Sequence, residues 1–149
     1  MDKRLVIALL AVAAVVYACG PRTHAAERTA QRHDANASAA VVGKVDVTTA
    51  PVVTFLLEVT NKTGKVVELT FPSAQTHDFA VLDAGGREVW RWSRGEMFTQ
   101  VLRNEPLGRG ASVTYSETWP EARPGTYTLV ASTNSSNHPV EERTSFTVR

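Results

Sequence analysis

From Val41 to Arg149 apolar and polar residues alternate with a period of two, the mark of strands that bury one face. Helical periodicity is nowhere sustained, so no helix is predicted there. In one candidate strand Val53, Phe55, Leu57 and Val59 share a face; after Asn61-Lys62-Thr63-Gly64 the partner face is Val67, Leu69 and Phe71, which predicts a hairpin. A second hairpin is predicted from Asp78 to Ser93. Its strands carry Phe79 and Val81 on one arm and Trp90 and Trp92 on the other, with Ala84-Gly85-Gly86-Arg87 as the turn. Ala111, Val113, Tyr115, Glu117 and Trp119 then alternate with Ser and Thr. Pro124-Gly125 turns into Tyr127, Leu129 and Ala131, and Thr144, Phe146 and Val148 close the chain. About seven to nine short strands with frequent turn signals predict an all-β fold, an antiparallel immunoglobulin-like sandwich. Pro124-Gly125-Thr126-Tyr127 fits the habit of such sandwiches of placing a tyrosine where a strand begins.

The pattern upstream is different. An unbroken apolar run, Leu5 to Val16, follows Lys3 and Arg4 and precedes a small residue, Ala18. A bilayer span needs about 20 apolar residues, so this shorter run reads as a cleaved signal peptide over residues 1–18. Val16-Tyr17-Ala18-Cys19 resembles a bacterial lipobox, with Tyr17 bulkier than the residue usual there. The resemblance implies that Cys19 is diacylated and becomes the first residue. Acylation also accounts for an unpaired thiol, since the chain has a single cysteine. Acyl chains contribute about 0.8 kcal/mol per buried methylene, and two or three of them hold a protein on a membrane. Gly20 to Ala40 contains no Val, Ile, Leu, Met, Phe, Tyr or Trp and cannot build a core, so residues 19–40 are read as a lipidated cysteine and tether ahead of a domain at 41–149. The expected location is the cell envelope. Gly20 stands where an aspartate would signal inner-membrane retention, which points to the periplasmic face of the outer membrane in a host with two membranes.

Charge narrows the partners. Setting aside Asp2, Lys3 and Arg4, the 16 basic and 15 acidic residues of the chain become 14 of each. A formally neutral chain has no global field to draw it to nucleic acid. The absence of further cysteines rules out disulfide staples, so the domain depends on its hydrophobic core.

Candidate chemistry is sparse. His77-Asp78 with nearby Ser73 is the best catalytic constellation, but neighbours on a strand point to opposite faces and do not pair by themselves. No catalytic residue is predicted. His24 and His33 fall in the tether, and His77 and His138 are isolated, so no metal or other cofactor is expected. Gly85-Gly86 reads as a turn rather than a phosphate loop, for no helix follows. Asn61-Lys62-Thr63 and Asn134-Ser135-Ser136 match glycosylation sequons but read as polar turns. The distinctive segment is Trp90-Arg91-Trp92-Ser93-Arg94-Gly95. Both indoles lie on one face and are expected to fill the core, whereas Trp92, Arg94 and Phe98 are the candidate protein-binding residues because Trp and Arg dominate interface hot spots. Exposed, coplanar indoles at Trp90 and Trp92 would instead indicate carbohydrate binding.

Residues 57–63, 67–79 and 86–93, together with Phe98, Gln100, Tyr115, Trp119 and Gly125-Thr126-Tyr127, resemble the BsuPI family of proteinase inhibitors. The similarity covers roughly residues 50–132 and is most specific from Phe71 to Trp92. It implies an all-β, non-catalytic domain that binds a protein partner, a protease inside the cell for the founding member. Here the leader moves the expected target outside the cytoplasm. The candidate surfaces are the loops Ser93 to Phe98, Arg103 to Gly110 and Ser135 to Val140, presented to an active-site cleft, or an exposed edge strand added to a partner sheet. The alternative is an envelope assembly or scaffold lipoprotein with no protease target.

Overall fold

The computed structural model describes residues 40–149. The signal peptide, Cys19 and nearly all of the tether lie outside the described residues. Nine strands follow one another, β1 (Val41–Thr48), β2 (Val53–Asn61), β3 (Val67–Phe71), β4 (His77–Asp83), β5 (Glu88–Arg91), β6 (Arg103–Leu107), β7 (Ser112–Trp119), β8 (Gly125–Thr133) and β9 (Glu141–Val148). All pairings are antiparallel. One sheet has the order β1-β2-β7, another β5-β4-β8-β9, and β3 pairs with β6.

The alternation along the chain becomes the inside and outside of a sandwich. In β2 every second residue from Val53 to Asn61 is buried, and Phe55, Leu57 and Val59 are sealed from solvent. Phe79 and Val81 from β4 and Leu129 and Ala131 from β8 meet them from the other sheet. Phe55 joins the layers, its ring lying 5.9 Å from Phe79, 5.7 Å from Trp90 and 5.6 Å from Phe146. Fully burying a side chain of this size stabilises the fold by about 2 to 3 kcal/mol. At one margin β1 approaches β9 so closely that a Cβ at Gly43 would lie 2.5 Å from Val140 Cγ1, so glycine alone fits.

The expected hairpin of β4 and β5 forms, with Val81 opposite Trp90. A bulge between Val81 and Leu82 shifts the register, and Val89 is left exposed. Asp83 shapes the turn, accepting hydrogen bonds from the amides of Gly85 at 2.9 Å and Arg87 at 3.0 Å, while Gly86 takes φ 79°. The Arg87 amide and guanidinium hold the Asp83 carboxyl below its ordinary pKa. Strand β5 ends at Arg91, two residues before the expected Ser93, although the Trp92 amide still reaches the Phe79 carbonyl at 2.9 Å.

Two expectations are corrected. β2 and β3 do not form a hairpin: β1 and β7 already occupy both edges of β2, and β3 pairs with β6. Period-two alternation sets which side chains face inward but is blind to the neighbouring strand. In addition, most of the segment Arg103 to Gly110, read as a loop, is strand β6, in which Leu107 opposite Val67 is buried.

Asn61 redirects the chain where β2 ends. Its side chain is fully buried, and Nδ2 donates to the carbonyls of Lys65 at 2.8 Å, Leu107 at 2.9 Å and Gly108 at 2.9 Å. Oδ1 accepts from the Thr63 amide at 2.9 Å and the Thr63 hydroxyl at 2.6 Å. The first sequon is thus a structural turn with its asparagine inside. Tyr127 meets the expectation for a tyrosine at the start of a strand, since its hydroxyl donates to the Arg123 carbonyl at 3.0 Å.

Candidate protein-binding site

Opposite faces of β4 and β5 do different work. On the outer face Asp78, itself buried, accepts from Arg91 Nη1, from the Ser93 hydroxyl at 2.9 Å and from the Phe79 amide at 2.9 Å. Glu88 completes the network. It accepts from Arg91 Nη2 at 2.6 Å through one oxygen and from Arg94 Nη2 at 2.6 Å through the other. The Arg91 hydrogen bond is the chief reason that the Glu88 carboxyl titrates below its usual range, and the same bond raises Arg91 further. These contacts fix the turn after β5, where Arg94 N–H meets the Arg91 carbonyl at 3.2 Å and Glu96 N–H meets the Ser93 carbonyl at 3.2 Å.

The inner face carries an aromatic stack. His77 lies between Trp92, 4.3 Å away and nearly parallel, and Tyr115, 4.7 Å away on β7 of the other sheet. Its Nε2 is 3.1 Å from Glu117 Oε1 and its Nδ1 is 3.1 Å from Thr76 Oγ1. A carboxylate, an imidazole and a hydroxyl in line resemble a catalytic relay. Here the imidazole is wedged between two aromatic rings and ties Thr76 on one side to Glu117 of the opposite sheet, the arrangement of a strut between sheets. Ser73 takes no part; its hydroxyl accepts from the Gln75 amide at 3.2 Å. Tyr115 packs its hydroxyl inside without a hydrogen-bond partner, and burial pushes the phenol up to about 12.

The stack continues outward, for Phe98 packs on Trp92 with ring centroids 5.6 Å apart. Trp92 and Phe98, both predicted, are therefore brought together, and Arg94 is turned away from them toward Glu88. Trp90 and Trp92 are each half-buried against the core, Trp90 also lying 6.2 Å from Trp119. Three exposed apolar side chains follow, of which Met97 lies within the predicted surface Ser93 to Phe98 and the other two lie beyond it. Met97 is 97% exposed, Val101 60% and Leu102 66%, all within one connection between β5 and β6. A signal for them exists in the sequence: Met97-Phe98 and Val101-Leu102 are adjacent apolar pairs, and an extended chain turns one member of each pair away from any single face.

The third predicted surface, Ser135 to Val140, is tied down. Asn137 Oδ1 accepts from the Thr70 amide at 3.0 Å and its Nδ2 donates to the Glu68 carbonyl at 2.7 Å, so this loop covers the edge of β3. Ser135 and Val140 are buried. Two open cavities, of about 210 and 380 Å³, lie at the other end of the sandwich around Thr49, Trp119 and Arg149, remote from the stack. Among the described residues, no group of three His, Cys, Asp or Glu side chains is placed to hold a metal ion.

Compared with known families, residues 41–138 match the BsuPI family, described as intracellular proteinase inhibitor. This chain belongs to the BsuPI family. The match takes in β1 through β8 and the whole Trp90 to Leu102 segment, and so extends on both sides of the resemblance seen in the sequence. No curated protein matches the chain.

Proposed function

We propose that this chain is an exported lipoprotein, anchored through Cys19, whose BsuPI domain inhibits or regulates a protease outside the cytoplasm by binding without catalysis. The observation that carries the reading is the family match over residues 41–138 in a chain that also bears a lipobox-like Val16-Tyr17-Ala18-Cys19. With residues 19–40 as tether, the domain has a fully extended reach of about 70 Å from the lipid, enough to meet a partner in the same envelope.

The test has two parts. The chain as the cell produces it, purified in mild detergent, is expected to inhibit at least one endopeptidase in a panel of envelope and secreted enzymes. Acyl labelling is expected in the wild type and absent in Cys19→Ser. No inhibition at micromolar excess removes the protease reading and leaves the envelope scaffold, which the leader and tether favour equally; unlabelled wild-type protein removes the anchor.

A further inference from the structure

We infer that the connection between β5 and β6 is the segment that enters a protease cleft, with Met97 filling an apolar primary specificity pocket. The inference rests on the inhibitor reading above and names the site and the partner class for it. An endopeptidase binds its ligands as extended chain, pairing with free backbone groups and seating one protruding side chain beside the scissile bond.

Residues 96–102 meet those requirements. They belong to no strand, and among the described residues neither the amide nor the carbonyl of Met97 has a hydrogen-bond partner. Met97 is also the most exposed large apolar side chain described. An unbranched thioether exposed in this way gains nothing for the fold and fits a long apolar pocket.

Protrusion alone would make a substrate, whereas an inhibitor also holds its segment in shape. Both sides of Met97 are fixed. On the N-terminal side the turn from Arg91 to Glu96 is held by the Asp78 and Glu88 network and passes through Gly95 at φ 87°. On the C-terminal side Phe98 is clamped on Trp92, which stacks on His77 and so reaches Tyr115 in the opposite sheet. The next residue, Thr99, accepts the Ala74 amide at 2.9 Å through its carbonyl. A segment ordered in advance loses little entropy on binding, and its two halves stay in place if the bond between them is attacked. The other two predicted surfaces do not compete, since one is strand β6 and the other is bound to β3.

The experiment exchanges the chemistry at the tip. Wild type and Met97→Arg, each as the cell produces it, are assayed by residual peptidase activity. The enzymes are the panel endopeptidases that the wild type inhibits, chymotrypsin for its apolar pocket and trypsin for its acidic one. Met97→Arg is expected to lose about 100-fold or more against the enzymes the wild type inhibits and to gain inhibition of trypsin, with an unchanged melting temperature because position 97 makes no contact with the fold. Unchanged inhibition of the original enzymes overturns the assignment, as does a variant that trypsin ignores or cuts at position 97 within minutes. A wild type that inhibits nothing in the panel defeats the inhibitor reading itself, whereas a wild type that inhibits equally well after substitution defeats only the assignment to this segment.

Discussion

Two connections in this domain reverse the usual division between inside and outside. In the turn after β2 a polar side chain, Asn61, is completely buried; in the connection after β5 an apolar one, Met97, is almost completely exposed. The difference lies in what each satisfies. The Asn61 amide group reaches three backbone carbonyls and its oxygen accepts from the Thr63 amide and hydroxyl, so neither polar atom of this buried side chain lacks a partner. Met97 satisfies nothing within the domain. A buried polar group with every bond made serves the fold, and an apolar group held out in solvent by an anchored segment serves a partner.

The contrast can be broken at three points. Asn61→Ala is expected to cost about 3 kcal/mol in denaturant unfolding, because the Leu107 carbonyl loses its Asn61 donor inside the fold and the turn loses the other contacts of a fully buried amide. A loss below about 1 kcal/mol would show that water replaces the side chain and that Asn61 is no keystone.

Tyr115→Phe comes next, at the base of the stack that supports the loop. Its hydroxyl has no partner, so removal is expected to be neutral or to stabilise by up to about 1 kcal/mol. The pH dependence follows from the phenol pushed up to about 12. The folded protein keeps this proton to higher pH than the unfolded chain does, so the contribution is intact below the unfolded value near 10 and fades as pH rises from 10 toward 12. Alkaline unfolding curves of wild type and Tyr115→Phe should diverge in that window, and parallel curves would show that the hydroxyl is solvated.

Met97→Ser should have the smallest effect on stability, within about 0.5 kcal/mol of zero by thermal unfolding. A larger loss would mean that Met97 belongs to the fold, and the contrast with Asn61 would fail.

Much of this architecture was legible from local pattern. The inward faces of β2, β4, β7 and β8 follow from alternation, and the β4–β5 hairpin follows from a short turn in which Asp83 and Gly86 supply the geometry. Of the candidate site, Trp92 and Phe98 could be picked out from residue type beside a turn, and the structure packs their rings together. Met97 fell within the predicted surface Ser93 to Phe98 without being singled out, and Val101 and Leu102 lay outside it, because adjacent apolar pairs show that one member faces away but not which.

Alternation with a period of two belongs to each strand separately, so it was enough for an all-β sandwich and for the side of each strand that faces inward. Whether β2 turns back on β3 or hands the chain on toward β6 depends on β1 and β7 filling its edges and on Asn61 reaching the Leu107 and Gly108 carbonyls, contacts between residues far apart in the chain. The same holds for the exposed segment after β5. Its shape comes from an aromatic stack that crosses two sheets and a carbonyl held by Ala74, partners that only folding brings within reach.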